Sequence, residues 1–562
     1  MEIRGAEVVC HILKNEGVEY VFGVPGNSEV PLLDALAETD IRYISAIHES
    51  VSMGMADGYA RSSGKVGVAL VHTTPGTANV IGNMLNAYDA GTPLVVLAGQ
   101  QDSRLRWSDA LLDSDLMPMV SQFTKGRWSV NRAQDIPRTL EYAFKEAACP
   151  PTGPVFVAVP RDVQAQAVEF NPSTMGRRQI EAAVRPDREL VIKVAQMLVS
   201  AQRPAILAGY QVPDADASGE LAELAETIAA PVFTTGLVPK LIFPTDHPLY
   251  FGRVPPLGFG LPGLSEPADV LLAIGNGLFK QLFHIEGPLI PPATRLIQVD
   301  LDACGLSREC RADLALLGNP KQVLSELVSE ARRITGKSER DRIRRRDKDL
   351  RKMRADARAS EAAAFAKERL DIPMRPSRAV KDIADSLPAD AVVVDEAVML
   401  TSYVASIMDF TKPGSYYCSI SCLGWGLPAA LGVALGTSRR PVLALVGDGS
   451  ALFGIQALWT ANKYQLPVIV AVLNNRAYAA VKWGFAMYPD RRCPEGSDLG
   501  FELGIVDFLK LAGAFGIKAE RIEDPEKLRP ALKRAISRGQ PALLDLVVDP
   551  RDVGYGLPSL PE

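Results

Sequence analysis

The strongest chemical signal in the chain is an acidic turn followed by a pair of asparagines. Gly447-Asp448-Gly449-Ser450 comes directly after a predicted buried strand, and Asn474-Asn475 ends the next one. In open α/β sheets, ligands bind where the carboxyl ends of neighbouring strands meet. Carboxylate and amide oxygens suit a magnesium ion, and glycines before a helix N-terminus suit a diphosphate. A GDG sequence alone fits an ordinary turn equally well, but its pairing with Asn475 favours a magnesium–diphosphate site.

Three further positions could take part in proton transfer or ligand contact. Glu49 lies between the strand-like Tyr43–Ile47 and a predicted helix, where a glutamate often only complements the helix dipole. His72 ends a predicted strand, where an imidazole can act as general acid or base, or can simply hydrogen-bond beneath a turn. Leu423 precedes the predicted helix Trp425–Leu435, and the sequence alone fits a core leucine as well as a ligand contact.

Short apolar runs alternate with helix-length segments along the chain. Such runs are typical of parallel strands that are buried on both faces, and the alternation indicates helices on both sides of each sheet. We therefore predict an α/β fold with three doubly wound parallel-sheet domains. The predicted strands are Val66–Val71, Leu94–Ala98, Val155–Val159, Ala205–Ala208, Val270–Ile274, Arg295–Val299, Ala391–Val394, Val442–Val446, Val468–Leu473 and Ala542–Val547.

A sequence pattern that occurs twice, and two polar stretches, suggest how the chain is divided into domains. Residues 68–97 and 443–472 share the order strand, glycine-bearing turn, helix and Pro-led strand, which suggests that the first and last thirds share a fold. Of the polar stretches, 171–188 and 332–358, the second is strongly basic, but its interspersed acids favour a solvated linking helix over an anion-binding surface. The predicted domains are N-terminal 1–172, central 186–332, a charged helical linker 333–372, and C-terminal 373–550.

Composition excludes several classes of protein. The 562 residues are 47% hydrophobic, enough for several cores, and the net charge of −5 argues against a nucleic-acid partner. The sequence shows neither a run of about 18 uncharged apolar residues nor a signal-peptide pattern, so we expect no membrane partner and a cytoplasmic location. The seven cysteines lack regular spacing, which predicts reduced thiols rather than a disulfide framework.

On these motifs the sequence resembles the thiamine diphosphate-dependent 2-oxo acid enzymes along nearly its whole length. The resemblance implies a pyrimidine-binding N-terminal domain, a central domain and a diphosphate-binding C-terminal domain. It implies that Asp448, Asn475 and the carbonyl of Ala477 hold Mg²⁺, with Ca²⁺ as an alternative ion. The other diphosphate-side contacts that it implies are Gly447, Gly449, Ser450 and Tyr478.

The same resemblance assigns the pyrimidine side of the cofactor. Glu49, in the context HE…ADGYAR, is implied to protonate the aminopyrimidine ring. Leu423 is implied to prop thiamine diphosphate in a bent form, and the carbonyl of Ser421 to hold its exocyclic amine. Gly275-Asn276-Gly277 and Arg295–Asp300 look like half of a nucleotide-binding fold, which is weak evidence, and we expect no flavin there.

Within the family, the segments around His72 and Asp448 are similar to benzoylformate decarboxylases. The resemblance implies that His72 transfers protons, with His284 as candidate for a second histidine from the central domain. Those enzymes have a serine after their first Pro-Gly pair, whereas Gly26 is followed here by Asn27 and then Ser28. The serine is therefore either replaced by an amide or shifted by one place.

The substrate pocket is implied to include Ala480, Val481 and Gly484. Gly484 stands where benzoylformate decarboxylases have an aromatic wall, which widens the pocket unless Trp483 or Phe485 fills the space. We therefore predict non-oxidative decarboxylation of an aromatic or branched 2-oxo acid to an aldehyde and carbon dioxide, with carboligation as a side activity.

Two alternatives stay open at this point. An acetolactate synthase-like carboligase acting on pyruvate is mildly favoured by Pro75-Gly76 and disfavoured by His72. A non-catalytic subunit is disfavoured because Glu49, Asp448 and Asn475 are all present. The family resemblance also implies an active site between two chains, so we expect at least a homodimer, and a homotetramer is the expected assembly.

Overall fold

The computed structural model describes the chain except for residues 173–182, 237, 255–263, 265, 276–283, 285, 368–370, 439, 489–491, 493–498, 556, 558–559 and 561–562. It contains three six-stranded sheets with helices between their strands, which confirms the predicted α/β class. All ten predicted strands are present, and no end differs from the prediction by more than two residues. Among the described residues, no helix has both the length and the apolar character needed to cross a membrane.

The first sheet has the strand order β3-β2-β4-β5-β7-β6, and its registered pairs are parallel. A short antiparallel ribbon, β1 with β8, ties the start of the chain to the end of this region. The elements are β1 (Glu2–Arg4), α1 (Gly5–Asn15), β2 (Tyr20–Gly23), α2 (Val30–Ala37), β3 (Arg42–Ser45), α3 (Glu49–Ser63), β4 (Gly67–His72), α4 (Thr73–Asp89), β5 (Leu94–Gln100), α5 (Leu116–Val120), β6 (Gly126–Ser129), α6 (Ile136–Ala148), β7 (Pro154–Pro160), α7 (Arg161–Ala165) and β8 (Ala167–Glu169).

The second sheet has the order β11-β10-β9-β12-β13-β14. Counted in chain order this is 3-2-1-4-5-6, the doubly wound arrangement of dinucleotide-binding folds. Of the predicted Gly275-Asn276-Gly277 motif, Asn276 and Gly277 lie outside the described residues. The elements are α8 (Arg188–Ser200), β9 (Pro204–Ala208), α9 (Gln211–Asp214), α10 (Ser218–Ile228), β10 (Val232–Thr234), β11 (Tyr250–Arg253), β12 (Val270–Ile274), β13 (Arg295–Asp300), β14 (Leu314–Leu317), α11 (Pro320–Ile334) and α12 (Lys337–Lys367).

The third sheet has the order β16-β15-β17-β18-β20-β19. Counted in chain order, the first and third sheets share the arrangement 2-1-3-4-6-5. The sequence pattern that 68–97 and 443–472 share therefore reflects a shared topology. The elements are α13 (Pro376–Ala384), β15 (Val392–Glu396), α14 (Thr401–Ile407), β16 (Tyr416–Cys418), α15 (Gly426–Gly436), β17 (Val442–Gly447), α16 (Asp448–Gly454), α17 (Ala457–Tyr464), β18 (Val468–Asn474), α18 (Ala479–Met487), α19 (Phe508–Ala514), β19 (Lys518–Ile522), α20 (Leu528–Arg538) and β20 (Ala542–Val547).

The internal contacts of the chain divide it into two compact units. One unit is discontinuous in sequence and comprises Met1–Ile180, Ile372–Thr401 and Ser419–Glu562. The other comprises Glu181–Asp371 and Ser402–Cys418. The candidate cofactor residues of both outer regions therefore belong to the same unit.

Within the discontinuous unit, α3 and α15 pack at very short range. A methyl group at Gly58 of α3 would lie less than 3.0 Å from the carbonyl oxygen of Ala429, and one at Gly432 of α15 would lie equally close to the carbonyl oxygen of Met55. Gly54 is also confined, since a methyl group there would lie 2.7 Å from the side chain of Pro428. The two helix backbones can approach this closely only because glycines line the crossing. The helix that begins at Glu49 is thereby fixed against the helix that follows Leu423.

The basic run at 332–358 falls mostly on α12, in the other compact unit. Arg342 and Arg346, four residues apart on one face, point toward the C-terminal ends of α8 and α10. Helix C-termini leave carbonyl groups without helical partners, and a guanidinium can satisfy several of them at once. Burial lowers the pKa of Arg346 to about 10. The carbonyl acceptors are Val199 for Arg342 and Ala201, Gln202, Ile228 and Ala229 for Arg346.

Replacing Arg346 with methionine should destabilise the protein by about 2–4 kcal/mol, because four carbonyl groups lose a charged donor. Urea unfolding at pH 7 measures the change. Arg345→Met is the matched control, since Arg345 is exposed on the neighbouring face and should change the free energy of unfolding by less than about 0.5 kcal/mol. Equal effects of the two substitutions would contradict this role for Arg346.

Candidate active site

Asp448 lies at the topological switch point of the third sheet, where the chain leaves β15 and β17 toward opposite sides and a crevice forms. It is the first residue of α16 and is 4% exposed. Its Oδ1 accepts a hydrogen bond from the Gly449 amide at 2.8 Å, whereas Oδ2 is buried and makes no hydrogen bond among the described residues. Burial raises the pKa of this carboxyl to about 6. An anionic oxygen without a partner in a buried crevice is suited to a cation.

Asn475 and Ala477 form a tight turn beside Asp448. The Asn475 side-chain oxygen accepts from the Ala477 amide at 3.1 Å, and the Ala477 amide also faces the Asp448 carboxylate. Arg476 between them adopts a positive φ of 61°. The preceding Asn474 is a structural anchor, since its side chain donates to Asp545 at 2.8 Å. The structure thus brings together the three predicted metal-holding residues.

The donor set at Asp448 suits a hard cation. It combines one carboxylate, one amide oxygen and one backbone carbonyl, the kind of oxygen ligands that magnesium takes while retaining water or phosphate oxygens. No cluster of three or more His, Cys, Asp or Glu side chains placed for a metal occurs in the described part of the chain. A site with a single acidic side chain is consistent with that finding, because the phosphates of a ligand would complete it.

Gly447 and Gly449, the two glycines of the motif, occupy their positions for different structural reasons. Within the part of the chain that the structure describes, a methyl group at Gly447 would meet nothing closer than the Ser450 hydroxyl at 3.9 Å, which leaves the backbone here accessible to a ligand. A methyl group at Gly449 would lie 2.7 Å from the ring of Tyr478. Gly449 is therefore required by the packing of Tyr478 over the turn. Ser450 is 3% exposed in the first turn of α16.

The loop before α15 carries the predicted pyrimidine contacts Ser421 and Leu423. Leu423 is 38% exposed, which excludes the core-leucine alternative within this chain. The Ser421 amide donates to the Asn86 side-chain oxygen at 3.1 Å, and the Ser421 hydroxyl donates to Asp89, both on α4. The loop is thus positioned by the helix that follows His72.

Glu396, at the end of β15, anchors the other side of this loop. Its buried carboxylate accepts from the amides of Trp425 at 3.2 Å and Gly426 at 2.9 Å, and burial raises its pKa to about 8. Sequence reasoning missed this residue, although an acid at the end of the apolar run AVVVDE was a usable signal.

A buried ion pair links the loop to α3. Arg61 donates to both carboxylate oxygens of Asp57 at 2.7 Å, and the Trp425 indole donates to Asp57 at 2.6 Å. The guanidinium also stacks over the Trp425 ring at 4.5 Å. Because Asp57 and Glu49 share α3, this cluster fixes the glutamate helix relative to the loop that carries Leu423.

Glu49 and His72 lie close together at the switch point of the first sheet, between β2 and β4. Glu49 opens α3, and its carboxylate accepts from the Asn79 amide group at 2.9 Å. His72 is the last residue of β4; burial lowers its pKa, and the nearby charge of Glu49 acts in the opposite direction. The His72 ring contacts Glu29, a buried glutamate that sequence reasoning missed. Glu49 and His72 are therefore accompanied by a third titratable group.

Asn27 and Ser28, the two candidates for the position of the serine after Gly26, differ in exposure. Asn27 is exposed, and Ser28 is 2% exposed, with its carbonyl held by the Gln164 side chain at 3.0 Å. Of these two side chains, Asn27 is the one that is accessible from the surface in this chain. Which of these two residues takes the place of the serine stays a prediction.

The predicted pocket residues lie on α18, and His284 belongs to the other compact unit. Val481 is half exposed, and a methyl group at Gly484 would meet no atom of the described residues within 4 Å. His284 is exposed in the other compact unit, where it lines an open cleft of about 580 Å³ with the segment around Pro291 and Cys310. Its part in catalysis stays a prediction.

Comparison with known proteins identifies the class. The three domains of the thiamine pyrophosphate enzyme family match in order: the N-terminal TPP binding domain at residues 3–119, the central domain at 191–327 and the C-terminal TPP binding domain at 397–546. The chain belongs to this family, whose cofactor is also called thiamine diphosphate.

Individual relatives cover nearly the whole chain and include two kinds of enzyme. A benzoylformate decarboxylase of Pseudomonas aeruginosa is 32% identical over 95% of this chain and 97% of its own length. A probable acetolactate synthase large subunit of Methanocaldococcus jannaschii is 30% identical over 100% of this chain and 94% of its own. Among solved structures, a Rhodococcus jostii thiamine diphosphate-dependent 4-hydroxybenzoylformate decarboxylase superposes with a TM-score of 0.84, at 27% identity over 97% of this chain and 99% of its own.

Proposed function

We propose that this chain decarboxylates an aromatic or branched 2-oxo acid without oxidation, giving an aldehyde and carbon dioxide. The observation that carries the proposal is His72, which stands beside Glu49 at the carboxyl end of β4. The reaction RCOCOO⁻ + H⁺ → RCHO + CO₂ consumes one proton, and an imidazole at this position can deliver it. The similarity to benzoylformate decarboxylase and 4-hydroxybenzoylformate decarboxylase supports the substrate class.

The residues on both switch points would hold thiamine diphosphate and Mg²⁺. Thiamine diphosphate, when bound, supplies the electron sink that loss of carbon dioxide requires. Asp448, Asn475 and the Ala477 carbonyl would hold the metal, and the open backbone at Gly447 would face the diphosphate. Glu49 would hold the proton that the pyrimidine ring exchanges. The prediction that no flavin is bound stays a prediction.

The substrate would lie between His72 and α18. Asn27, which is exposed, would orient the carboxylate through its amide group. Gly484 leaves space for a bulky side chain, while Val481 presents an apolar surface. These features favour an aromatic or branched acid over pyruvate.

We also propose that a second copy of the chain completes the site. Large apolar side chains are exposed at both switch points: Leu423 and Phe453 near Asp448, and Leu111, 82% exposed, in the loop after β5. Exposed apolar clusters of this kind mark interaction surfaces. Among the described residues, Glu49 hydrogen-bonds with Asn79 and with no group of the Asp448 turn. A homodimer is the minimum assembly and a homotetramer the expected one; sedimentation as a monomer at assay concentration would contradict this.

The function is tested by carbon dioxide release from benzoylformate, phenylpyruvate, 2-oxoisovalerate, 2-oxohexanoate and pyruvate, with thiamine diphosphate and Mg²⁺ present. We expect release from an aromatic or branched acid, and a fall of about 10²–10⁴-fold in Glu49→Gln, because that variant cannot exchange the proton. Glu38→Gln, at an exposed helix end, is the matched control and should keep wild-type rates.

The second candidate function is an acetolactate synthase-like carboligase. The 30% identity with an acetolactate synthase large subunit over the whole chain favours it. Consumption of pyruvate alone, with acetolactate as product, would establish it in place of the decarboxylase. The cytoplasmic location stays a prediction for either activity.

A further inference from the structure

Glu29 and His72 form a buried pair that the family motifs did not indicate. Glu29 is 0% exposed, and its carboxyl oxygens lie 3.0 and 3.3 Å from Nδ1 of His72. The His72 side chain is 19% exposed, so the ring has one nitrogen against Glu29 while part of it reaches the surface of the crevice. Glu29 thus contacts His72 on the buried side of the imidazole ring.

The surroundings of the carboxyl are built from glycine backbone. A methyl group at Gly99, at the end of β5, would lie 2.5 Å or less from the Glu29 carboxyl group. A methyl group at Gly26 would lie 2.5 Å from Glu29 Oε2 and closer still to His72 Nδ1. The backbone amides of Gly26 and Gly99 also face the carboxyl. Three strand ends therefore leave a space that fits one carboxyl group against one imidazole.

The protonation state of the pair follows from its burial. The titratable groups that face it are Glu49, at the start of α3, and Tyr43, on β3. Burial raises the pKa of Glu29 to about 8, with the charge of Glu49 contributing in the same direction, and burial lowers the pKa of His72. At pH 7 the carboxyl is then mostly protonated and the imidazole neutral. A protonated carboxyl donates to Nδ1, which leaves the ring proton on Nε2.

We propose that Glu29 is a positioning residue that holds His72 in its Nε2–H form and replaces the proton that His72 gives away. This rests on the proposed function. As the Nε2–H bond breaks and a C–H bond forms at the carbon that has lost carbon dioxide, the Glu29 O–H bond breaks and an Nδ1–H bond forms. The products are a neutral Nδ1–H imidazole and a Glu29 carboxylate. One proton from solvent restores the pair, which matches the one proton consumed per turnover.

The spectroscopic test uses the cofactor-free protein with ¹⁵N-labelled histidine. The chain has five histidines, so the spectrum is simple, and His72→Asn assigns the signal. We expect the Nε2–H form at pH 7 and a change to the Nδ1–H form with a midpoint near pH 8, when the ionised carboxylate accepts from Nδ1. Glu29→Gln should abolish this change. An Nδ1–H form at pH 7, or a constant form from pH 6 to 9.5 in the wild type, would overturn the proposal.

The kinetic test separates a positioning role from a structural one. Glu29→Gln should lower kcat by about 10–100-fold with KM changed less than threefold, because the hydrogen bond is retained but the proton is not. The wild-type kcat should fall above pH 8, and the kcat of Glu29→Gln should not show this decrease. Glu38→Gln should match the wild type. Wild-type kcat and pH profile in Glu29→Gln would refute the relay.

The two tests distinguish this proposal from the proposed function. The change of imidazole form requires neither substrate nor cofactor, so it supports the pair even if no 2-oxo acid is decarboxylated. Decarboxylation without the change would support the function and overturn the relay. Because the decisive titration is made on the wild type, the test stands even if Glu29→Gln fails to fold.

Discussion

Asp448→Asn should strongly weaken the magnesium-dependent binding of thiamine diphosphate and, in the same protein, raise the stability of the cofactor-free form. The carboxylate has one buried oxygen that makes no hydrogen bond with the described residues, and burial raises its pKa to about 6. A shift of about two pH units means that ionised Asp448 costs the folded protein about 3 kcal/mol at pH 7. An uncharged amide removes that cost. It also removes the charge that attracts the metal, so affinity should fall by about 100-fold or more.

The gain in stability from Asp448→Asn should depend on pH. The pKa of Asp448 is higher in the folded protein than in the unfolded chain. The destabilisation caused by its charge therefore develops as pH rises from about 4 to 6 and is fully present above that range. The stability gain of Asp448→Asn, about 1–3 kcal/mol at pH 7, should therefore fall to about half at pH 5. Thermal unfolding with and without Mg²⁺ and thiamine diphosphate measures both effects. Asp40→Asn, whose side chain is 96% exposed, should show neither. A less stable cofactor-free variant would refute the argument.

Gly58→Ala should destabilise the protein by about 3–5 kcal/mol, although it adds a single methyl group. The methyl would lie less than 3.0 Å from the carbonyl oxygen of Ala429 and 2.7 Å from its Cα, and backbone cannot move aside as a side chain can. Separating α3 from α15 would also pull Asp57 away from Trp425. We therefore expect weaker cofactor binding in whatever fraction of the variant folds.

The matched control for this substitution is Gly513→Ala. Gly513 lies in α19, where an added methyl would meet no atom within 4 Å. Alanine there should stabilise the protein by about 0.5–1 kcal/mol through its helix propensity. Urea unfolding of both variants measures the difference. If Gly58→Ala were as stable as Gly513→Ala, the close helix crossing would not be a constraint on the fold.

The strands that sequence reasoning found share one physical property. All ten are central or near-central, and a strand that is buried on both faces is a continuous apolar run, as in Val442–Gly447. The six edge strands are β3, β6, β11, β14, β16 and β19, and of these only β3 was indicated. The edge strand β6, with the sequence GRWS, places alternate side chains in solvent and carries no apolar run. The pairing of edge strands is decided by contacts with distant parts of the chain.

The site residues divide in the same way. Asp448, Asn475, Glu49 and His72 were indicated because each follows a recognisable strand or lies in a motif. Glu29 was missed because its role depends on Gly99, some 70 residues away, which encloses its carboxyl group. Burial created by three separate strand ends leaves no signature in local sequence.

The glycine-lined crossing of α3 with α15 has a consequence for protein synthesis. About 360 residues separate the end of α3 from the start of α15. At roughly 5–20 residues per second, the ribosome takes about 20–70 s to deliver the second helix after the first. During that interval the surface around Gly54 and Gly58 lacks its partner, and the region Met1–Ile180 belongs to a compact unit whose remainder has not been made. We therefore expect a chain arrested before Gly426 to be sensitive to protease in α3, and resistance to arise only when the last third emerges.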